Sequence, residues 1–327
     1  MKRPWALPLV PLYAAGAALR RIGMKPKRLA WPVISVGSLS AGGAGKTPFV
    51  IALAQLLKRE GSYVDVLSRG YGRVGTTVER VDPEGDAEQF GDEPLLIARE
   101  AAAPVFVGAQ RFDAGNLAES EAKAGIHLLD DGFQHEQLYR DVDILILNKQ
   151  DWFEDSLLPA GNLRESRRAV HRATVVAASA DEPEIEENLH RTIALDRGSE
   201  GPYWYGPVWR FRREMDIPKI DGAVVAFCGI ARPEQFFAGL EGAGVQIVGR
   251  HVFRDHHRFE ERDLELLRKL VLDTGAVGLV TTTKDSVRLG VLEEKLQQTV
   301  PVHTAGLRTV FEDEAGITAW LKVRLRS

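Results

Sequence analysis

V-I-S-V-G-S-L-S-A-G-G-A-G-K-T-P-F-V-I-A-L-A-Q-L-L-K-R-E-G, residues 33–61, reads as a strand, a glycine-rich turn and a helix in immediate succession. The run from Val33 to Val36 is apolar, and Ser40, Ala41, Gly42, Gly43, Ala44, Gly45, Lys46 and Thr47 form the turn. From Pro48 onward apolar residues recur at helical spacing until Gly61. Pro48 suits a first helical turn, where its missing N–H is no loss, and Gly61 suits a C-terminal cap. Glycines in such a turn let backbone N–H groups curl round phosphate oxygens, and the helix N-terminus adds a favourable partial charge. Lys46 would then reach the β- and γ-phosphates, and Thr47 would ligate Mg²⁺. Ser40 stands where the usual pattern has its first glycine. A chance Gly-rich turn is the alternative, and the flanking strand and helix argue against it. The stretch predicts a nucleotide site.

Composition sets the outer bounds. A chain of 327 residues with 44% hydrophobic and 27% charged residues is long enough for a sizeable core and two domains. A net charge of −4 argues against a general nucleic-acid partner. Cys228 is the one cysteine, which excludes a disulfide framework and fits a reducing compartment. The first thirty residues differ from the rest: Lys2, Arg3, Arg20, Arg21, Lys25, Lys27 and Arg28 are basic, and the first acid is Glu60. Between the basic clusters lies an apolar run, Trp5 to Leu19, shorter than the roughly 20 residues that span a bilayer. A cleaved signal peptide and a core helix with basic flanks are two readings of it. Pro8 and Pro11 interrupt the run, and a nucleotide site follows almost at once, which disfavours the first. The composition favours an interfacial helix, with Trp5 and Tyr13 at headgroup level and Lys/Arg meeting anionic lipid.

After the loop the chain alternates strand and helix. Tyr63 to Leu67 delivers S-R-G-Y-G-R, whose Arg69 and Arg73 match phosphate oxygens or serve as solvated loop charges. G-D-E-P (Gly91 to Pro94) opens a helix, where Asp92 and Glu93 also suit the helix dipole. The strand Ile126 to Leu129 ends in D-D-G-F-Q-H, so Asp130 and Asp131 stand where open α/β sheets bind ligands. That is the place of a Mg²⁺- or water-organising acid, with His135 near enough in sequence to join it. N-K-Q-D (Asn148 to Asp151) after the next strand resembles the guanine-reading element of GTPases. The spacing that should precede it is absent, so a GTPase switch is the weaker alternative. An aromatic stretch, residues 197–220, predicts a β-hairpin linker, and a second βα series follows. In that series F-R-D-H-H-R-F (Phe253 to Phe259) suits a base-assisting His–carboxylate arrangement better than a metal pair.

Taken together, V-G-S-L-S-A-G-G-A-G-K-T-P, S-R-G-Y-G, G-D-E-P, D-D-G-F-Q-H, L-P-A-G-N-L-R-E, D-H-H and T-T-K-D closely resemble the tetraacyldisaccharide 4′-kinases, over nearly the whole chain. The family's loop usually has Thr where Ser40 stands, and N-K-Q-D is not among its elements. The resemblance implies an α/β fold: a P-loop NTPase three-layer α/β/α domain at 31–196, a linker at 197–220, and a smaller α/β domain at 221–327. Residues 1–30 would be membrane-associated, and the C-terminal helix would pack on the first domain. It implies transfer of the γ-phosphate of ATP, with Mg²⁺, to the 4′-hydroxyl of tetraacyldisaccharide 1-phosphate. The enzyme would work peripherally or monotopically at the cytoplasmic face of the bacterial inner membrane. Lys46, Asp92, His256 and Asp131 would be catalytic, Asp92 acting as general base with His256. Thr47, Glu93 and Asp130 would hold Mg²⁺, and Arg69, Arg73, Arg111, His135, Arg164 and Glu165 would contact substrate.

Overall fold

The protein, as a computed structural model, is described for residues 3–19, 23, 25–154, 156–191, 204 and 206–325. Lys2, Arg20, Arg21 and residues 197–203 and 205 of the expected linker lie outside the described residues.

The strands, in chain order, are β1 (Val33–Ser38), β2 (Val64–Ser68), β3 (Glu79–Arg80), β4 (Val105–Val107), β5 (Ile126–Asp130) and β6 (Val142–Leu147). They continue with β7 (Val175–Ser179), β8 (Val208–Asp216), β9 (Val224–Cys228), β10 (Ile247–Val252), β11 (Gly278–Thr282) and β12 (Val302–Phe311). The described strands form one sheet in the order β10-β9-β11-β12-β8-β7-β6-β1-β5-β2-β4-β3. Pairing is parallel except at β8–β12 and β3–β4. Consecutive βα units demand parallel pairing, because each helix returns the chain to the starting edge.

Alternation along the buried strands makes two apolar faces. Ile34, Val36, Ile144 and Ile146 pack with the helix Lys46–Arg59 and the helix Asp92–Glu100. Leu145, Leu147, Val176 and Ala178 face the opposite way, onto Ile185 and Leu189 of the helix Pro183–Arg191. Val33, Leu67 and Leu129 face the helix Arg111–Glu121. These are the three layers of an α/β/α fold. Beyond β8, Val225, Phe227 and Leu279 cover the helix Glu261–Thr274, while Val224, Ala226 and Val280 cover the helix Pro233–Gly242.

The expected β-hairpin is not what forms in the described part of the linker. β8 lies between β7, which it pairs in parallel, and β12, which it pairs antiparallel. Both edges are thus occupied by strands distant in sequence. β12, whose polar alternation disguises it, was not anticipated, and it is the strand that carries the sheet across. β10 pairs β9 in parallel, with a register shift between Ile247 and Gly249.

At the N-terminus a 3-10 turn, Pro4–Leu9, leads into the helix Val10–Leu19. Ala6 is buried, whereas Trp5 and Leu12 are 76% and 74% exposed. The backbone N–H of Arg3 donates to Ala160 O at 2.7 Å, and Tyr13 Oη donates to Arg164 O at 3.3 Å. No helix among the described residues is long and apolar enough to cross a membrane.

The helix after the loop is seated by Phe49, whose ring meets Phe211 and Phe311 edge-on, with centroids at 5.4 and 5.1 Å. Ile317 and Leu321 of the C-terminal helix, Glu314–Arg324, join the same cluster. Phe49→Ala is expected to lower stability by about 3–5 kcal/mol, read from the urea midpoint.

Candidate active site

β1 ends beside β5, with Val36 in register with Asp130, so the loop and the two aspartates emerge at one place. Gly45 has φ 74° and precedes the helix that begins at Lys46. Lys46 is buried, with Nζ 3.4 Å from Asp131 Oδ1 and donating to Ser38 Oγ at 3.4 Å. Ser40 turns inward and donates to Gly42 O at 3.3 Å, bracing the loop without lining the cavity in front of it.

Asp130 and Asp131 are adjacent yet differ in state. Ser68 Oγ donates to Asp130 Oδ2 at 3.1 Å, while Oδ1 is buried without a partner. Burial, then the charges of Glu93 and Asp131, push Asp130 up to about 7. Burial also opposes the charge of Asp131, but Lys46 and Arg164 outweigh it and hold that carboxyl below its usual range. Arg164 Nη1 donates to Asp131 Oδ2 at 2.8 Å and to Gln134 Oε1 at 3.1 Å.

Asp92 begins its helix after Gly91, whose φ of 91° and ψ of 148° belong to glycine. A Cβ there would also sit 3.1 Å from Tyr71 O. The Asp92 carboxylate Oδ2 accepts from Arg288 Nε at 2.7 Å and lies 3.0 Å from His256 Nδ1. Burial opposes its charge, yet the His256 hydrogen bond and the Arg288 and Lys284 cations hold it well below the carboxylate range. The Asp92 hydrogen bond raises His256 above its ordinary value, against partial burial. Glu93 pairs with Lys284; burial opposes its charge and the Lys284 cation prevails, so it too is lowered.

His257, the neighbour in D-H-H, faces the other way. Its Nε2 is 2.9 Å from Asp263 Oδ2, and its ring stacks on Phe253 at 4.7 Å. His256 and Asp131 have positive φ, 57° and 48°, uncommon for non-glycine residues and typical of functional sites.

One cavity of about 1300 Å³ is lined by the loop from Ala41 to Thr47 and by Glu93, Asp130, Asp131 and His256. Arg69, Arg111, His135, Arg164 and Glu165 line it as well. Arg111 is buried, and burial together with Arg69 pushes it down to about 10. His135 is pushed down to about 4 by burial and then by Arg111, so it is neutral near pH 7. Glu165 is held by both Nη atoms of Arg172, at 2.7 and 3.0 Å. Arg73 is the expected substrate contact that stands apart: it pairs with Glu79 at 3.0 Å and donates to Thr77 O, closing its own loop. Arg288, Lys284, Arg213 and Arg232 were missed by sequence reasoning. Lys284 and Arg232 follow the C-terminal ends of β11 and β9, so the strand-end rule applied to the first series would have found them.

N-K-Q-D is spent on structure. Asp151 Oδ2 accepts from Asn148 Nδ2 at 2.5 Å, and Oδ1 accepts from Arg232 Nη2 at 3.2 Å. Neither carboxylate oxygen is left to read a base.

The family model described as tetraacyldisaccharide-1-P 4′-kinase matches residues 3–326. The chain belongs to the tetraacyldisaccharide 4′-kinase family. The tetraacyldisaccharide 4′-kinase of Koribacter versatilis is 40% identical over 332 residues, covering 97% of this chain and 98% of that protein. That of Syntrophus aciditrophicus is 36% identical over 310 residues, covering 86% and 83%. The crystal structure of the Aquifex aeolicus enzyme LpxK in complex with ATP is 30% identical, with a TM-score of 0.74 and 98% of each chain covered. The chain is therefore a lipid A 4′-kinase, and the GTPase switch is not favoured.

The Asp92–His256 contact gives the kinase a pH signature. A histidine raised in the folded state contributes stability that is fully present below its unfolded value of about 6.5 and is lost as pH rises through the folded one. The stability lost in His256→Gln, read from urea midpoints, is expected to be larger at about pH 6 than at about pH 9.

Proposed function

We propose that the cavity transfers the γ-phosphate of ATP to the 4′-hydroxyl of tetraacyldisaccharide 1-phosphate, with Asp92 and His256 removing the hydroxyl proton. The single observation carrying the proton assignment is the Asp92–His256 contact of 3.0 Å beside the phosphate loop. Phosphoryl transfer needs mainly positioning, charge neutralisation and a group that takes one proton. Asp92 is held ionised, so it is ready to accept, but its proton affinity is low. The proton is therefore taken up at Nε2 of His256, the more basic partner, whose Nδ1–H stays on Asp92. Lys46 lies on the β/γ side of the loop. Arg69, Arg111 and Arg164 line the same cavity as a cationic wall, suited to the substrate's own phosphate, since guanidinium forks match phosphate oxygens.

Thr47 and Asp130 fit Mg²⁺. Asp130 Oδ1 is buried without a hydrogen-bond partner, an oxygen left to take a cation. No cluster of three or more His, Cys, Asp or Glu side chains among the described residues forms a ready-made site. That agrees with a metal held by one or two protein oxygens plus phosphates. Bound there, Mg²⁺ would neutralise charge on the transferring phosphoryl group, and Glu93, paired here with Lys284, is the further acid that would join it.

The proposed division into a nucleotide lobe (31–196) and a second lobe (221–327) gives closure a purpose. Asp92 and Glu93 come from the first, His256, Lys284 and Arg288 from the second, so closing assembles the base and excludes water. Membrane association at the cytoplasmic face is proposed from the exposed Trp5, Leu7, Leu9 and Leu12 and from the basic residues around them. Tyr13 ties this segment to Arg164 and itself lines the cavity, so lipid entering from a bilayer would arrive at the cationic wall.

In mixed micelles with Mg²⁺, ATP should support lipid phosphorylation and GTP should not. Asp92→Asn is expected to lower kcat by roughly 10²–10⁴-fold while ATP binding persists. A variant phosphorylating at the parental rate would remove Asp92 from the chemistry. Replacing Trp5 and Leu12 together by Glu should release the kinase from sedimented anionic vesicles, with its melting temperature unchanged.

A further inference from the structure

Proline at position 48 has a consequence for nucleotide binding. In a loop-to-helix phosphate site the unpaired amides of the first helical turn are donors to the phosphate chain. Pro48 is the third residue of its helix and has no N–H. Phe49 N–H, the next one, is already directed at Gly45 O at 3.4 Å. Lys46 and Thr47 are thus the only amides that the start of this helix can offer.

The cations described above do not fill the gap. Lys46 is shared with Asp131, and Lys284 and Arg288 are paired with Glu93 and Asp92. Two other guanidinium groups lie directly against the loop. Arg213, on β8, donates through Nη2 to Ala44 O at 3.0 Å, and its Nε is buried without a partner. It makes no ion pair among the described residues. A Cβ placed on Gly45 would be 3.0 Å from that Nε. Arg232 follows β9 at the start of the next helix, and a Cβ placed on Gly43 would be 2.7 Å from its Nε. The two glycines therefore leave room for arginines as well as for phosphate oxygens. Both arginines line the cavity in front of the loop. Arg232 is aimed by Asp151, which is 2% exposed and itself locked by Asn148. Two neighbouring guanidinium groups repel one another, and burial followed by Arg232 pushes Arg213 below its usual value. An anion bound between them would remove that repulsion.

We propose that Arg213 and Arg232 are ligands of the nucleotide's phosphate chain, supplying the donors that Pro48 withholds, and that Asp151 is the positioning residue of Arg232. The inference rests on the reading of the loop as an ATP site. It gives N-K-Q-D a role with no connection to guanine: an acid on the first lobe orients a phosphate ligand from the second. Because Arg232 belongs to the second lobe, it also couples phosphate binding to lobe closure.

Titration calorimetry on the full chain tests this with two probes, Mg²⁺-ATP and inorganic tripolyphosphate, alongside the ligand-free melting temperature. Arg213→Gln and Arg232→Gln are each expected to weaken both probes by roughly 10- to 100-fold, as loss of a charge-assisted contact does. Melting temperatures without ligand should stay at the parental value. Arg213→Lys and Arg232→Lys should recover part of the loss, since an ammonium keeps the charge but not the fork. Asp151→Asn should weaken both probes less than Arg232→Gln does. Tripolyphosphate affinity equal to the parent's in both Gln variants overturns the proposal. So does a loss confined to ATP, which would put the arginines at the nucleoside, and so does a loss accompanied by a lower ligand-free melting temperature in all four arginine variants. Failure of the parental protein to bind either probe would refute the nucleotide reading itself, a result distinct from these.

Discussion

Carboxylates facing cations, Asp92 with Arg288 out of water and Glu93 with Lys284 half-buried, are the constraint on which this molecule depends. Asp92 with Arg288, and Glu93 with Lys284, join residues almost two hundred positions apart. Desolvation makes each charge costly alone, so each half of the site depends on the other. Such pairs are weak sources of net stability, yet removing one partner strands the other. Their value here is registry: they set Asp92 against His256 and keep the carboxylate ionised.

Local strain is concentrated at the same place. His256 and Asp131 hold positive φ, and Gly91 adopts a conformation closed to other residues. Regular packing around them pins these outliers: β5 ends at Asp130, and the Phe253–His257 stack fixes the loop that carries His256. The adjacent histidines show the division plainly. His257 is bound to Asp263 and serves the core of its lobe, which leaves His256 to turn toward Asp92.

The apolar N-terminal segment and the cationic wall meet at Arg164. That residue binds Asp131 through its side chain and receives Tyr13 through its backbone.

The phosphate loop, the order of the first five parallel strands and the acids at their ends were legible in the sequence. Each depends on local rules: alternation, glycine at positive φ, and carboxylates placed after apolar runs. Arg73 shows the limit of such reading, since its spacing from Arg69 looked like a pair but Glu79 captured it. Arg288 and Arg213 had no local signal as site residues, because an exposed cation and a site cation look alike until the chain folds. The continuous sheet was hidden for a similar reason: β12 is half-polar, and its partner β8 lies some ninety residues away. Sequence by itself determined which chemistry the loop can hold. Tertiary structure decided which charges face one another there, because the energy of a buried charge depends on neighbours that no spacing rule can name.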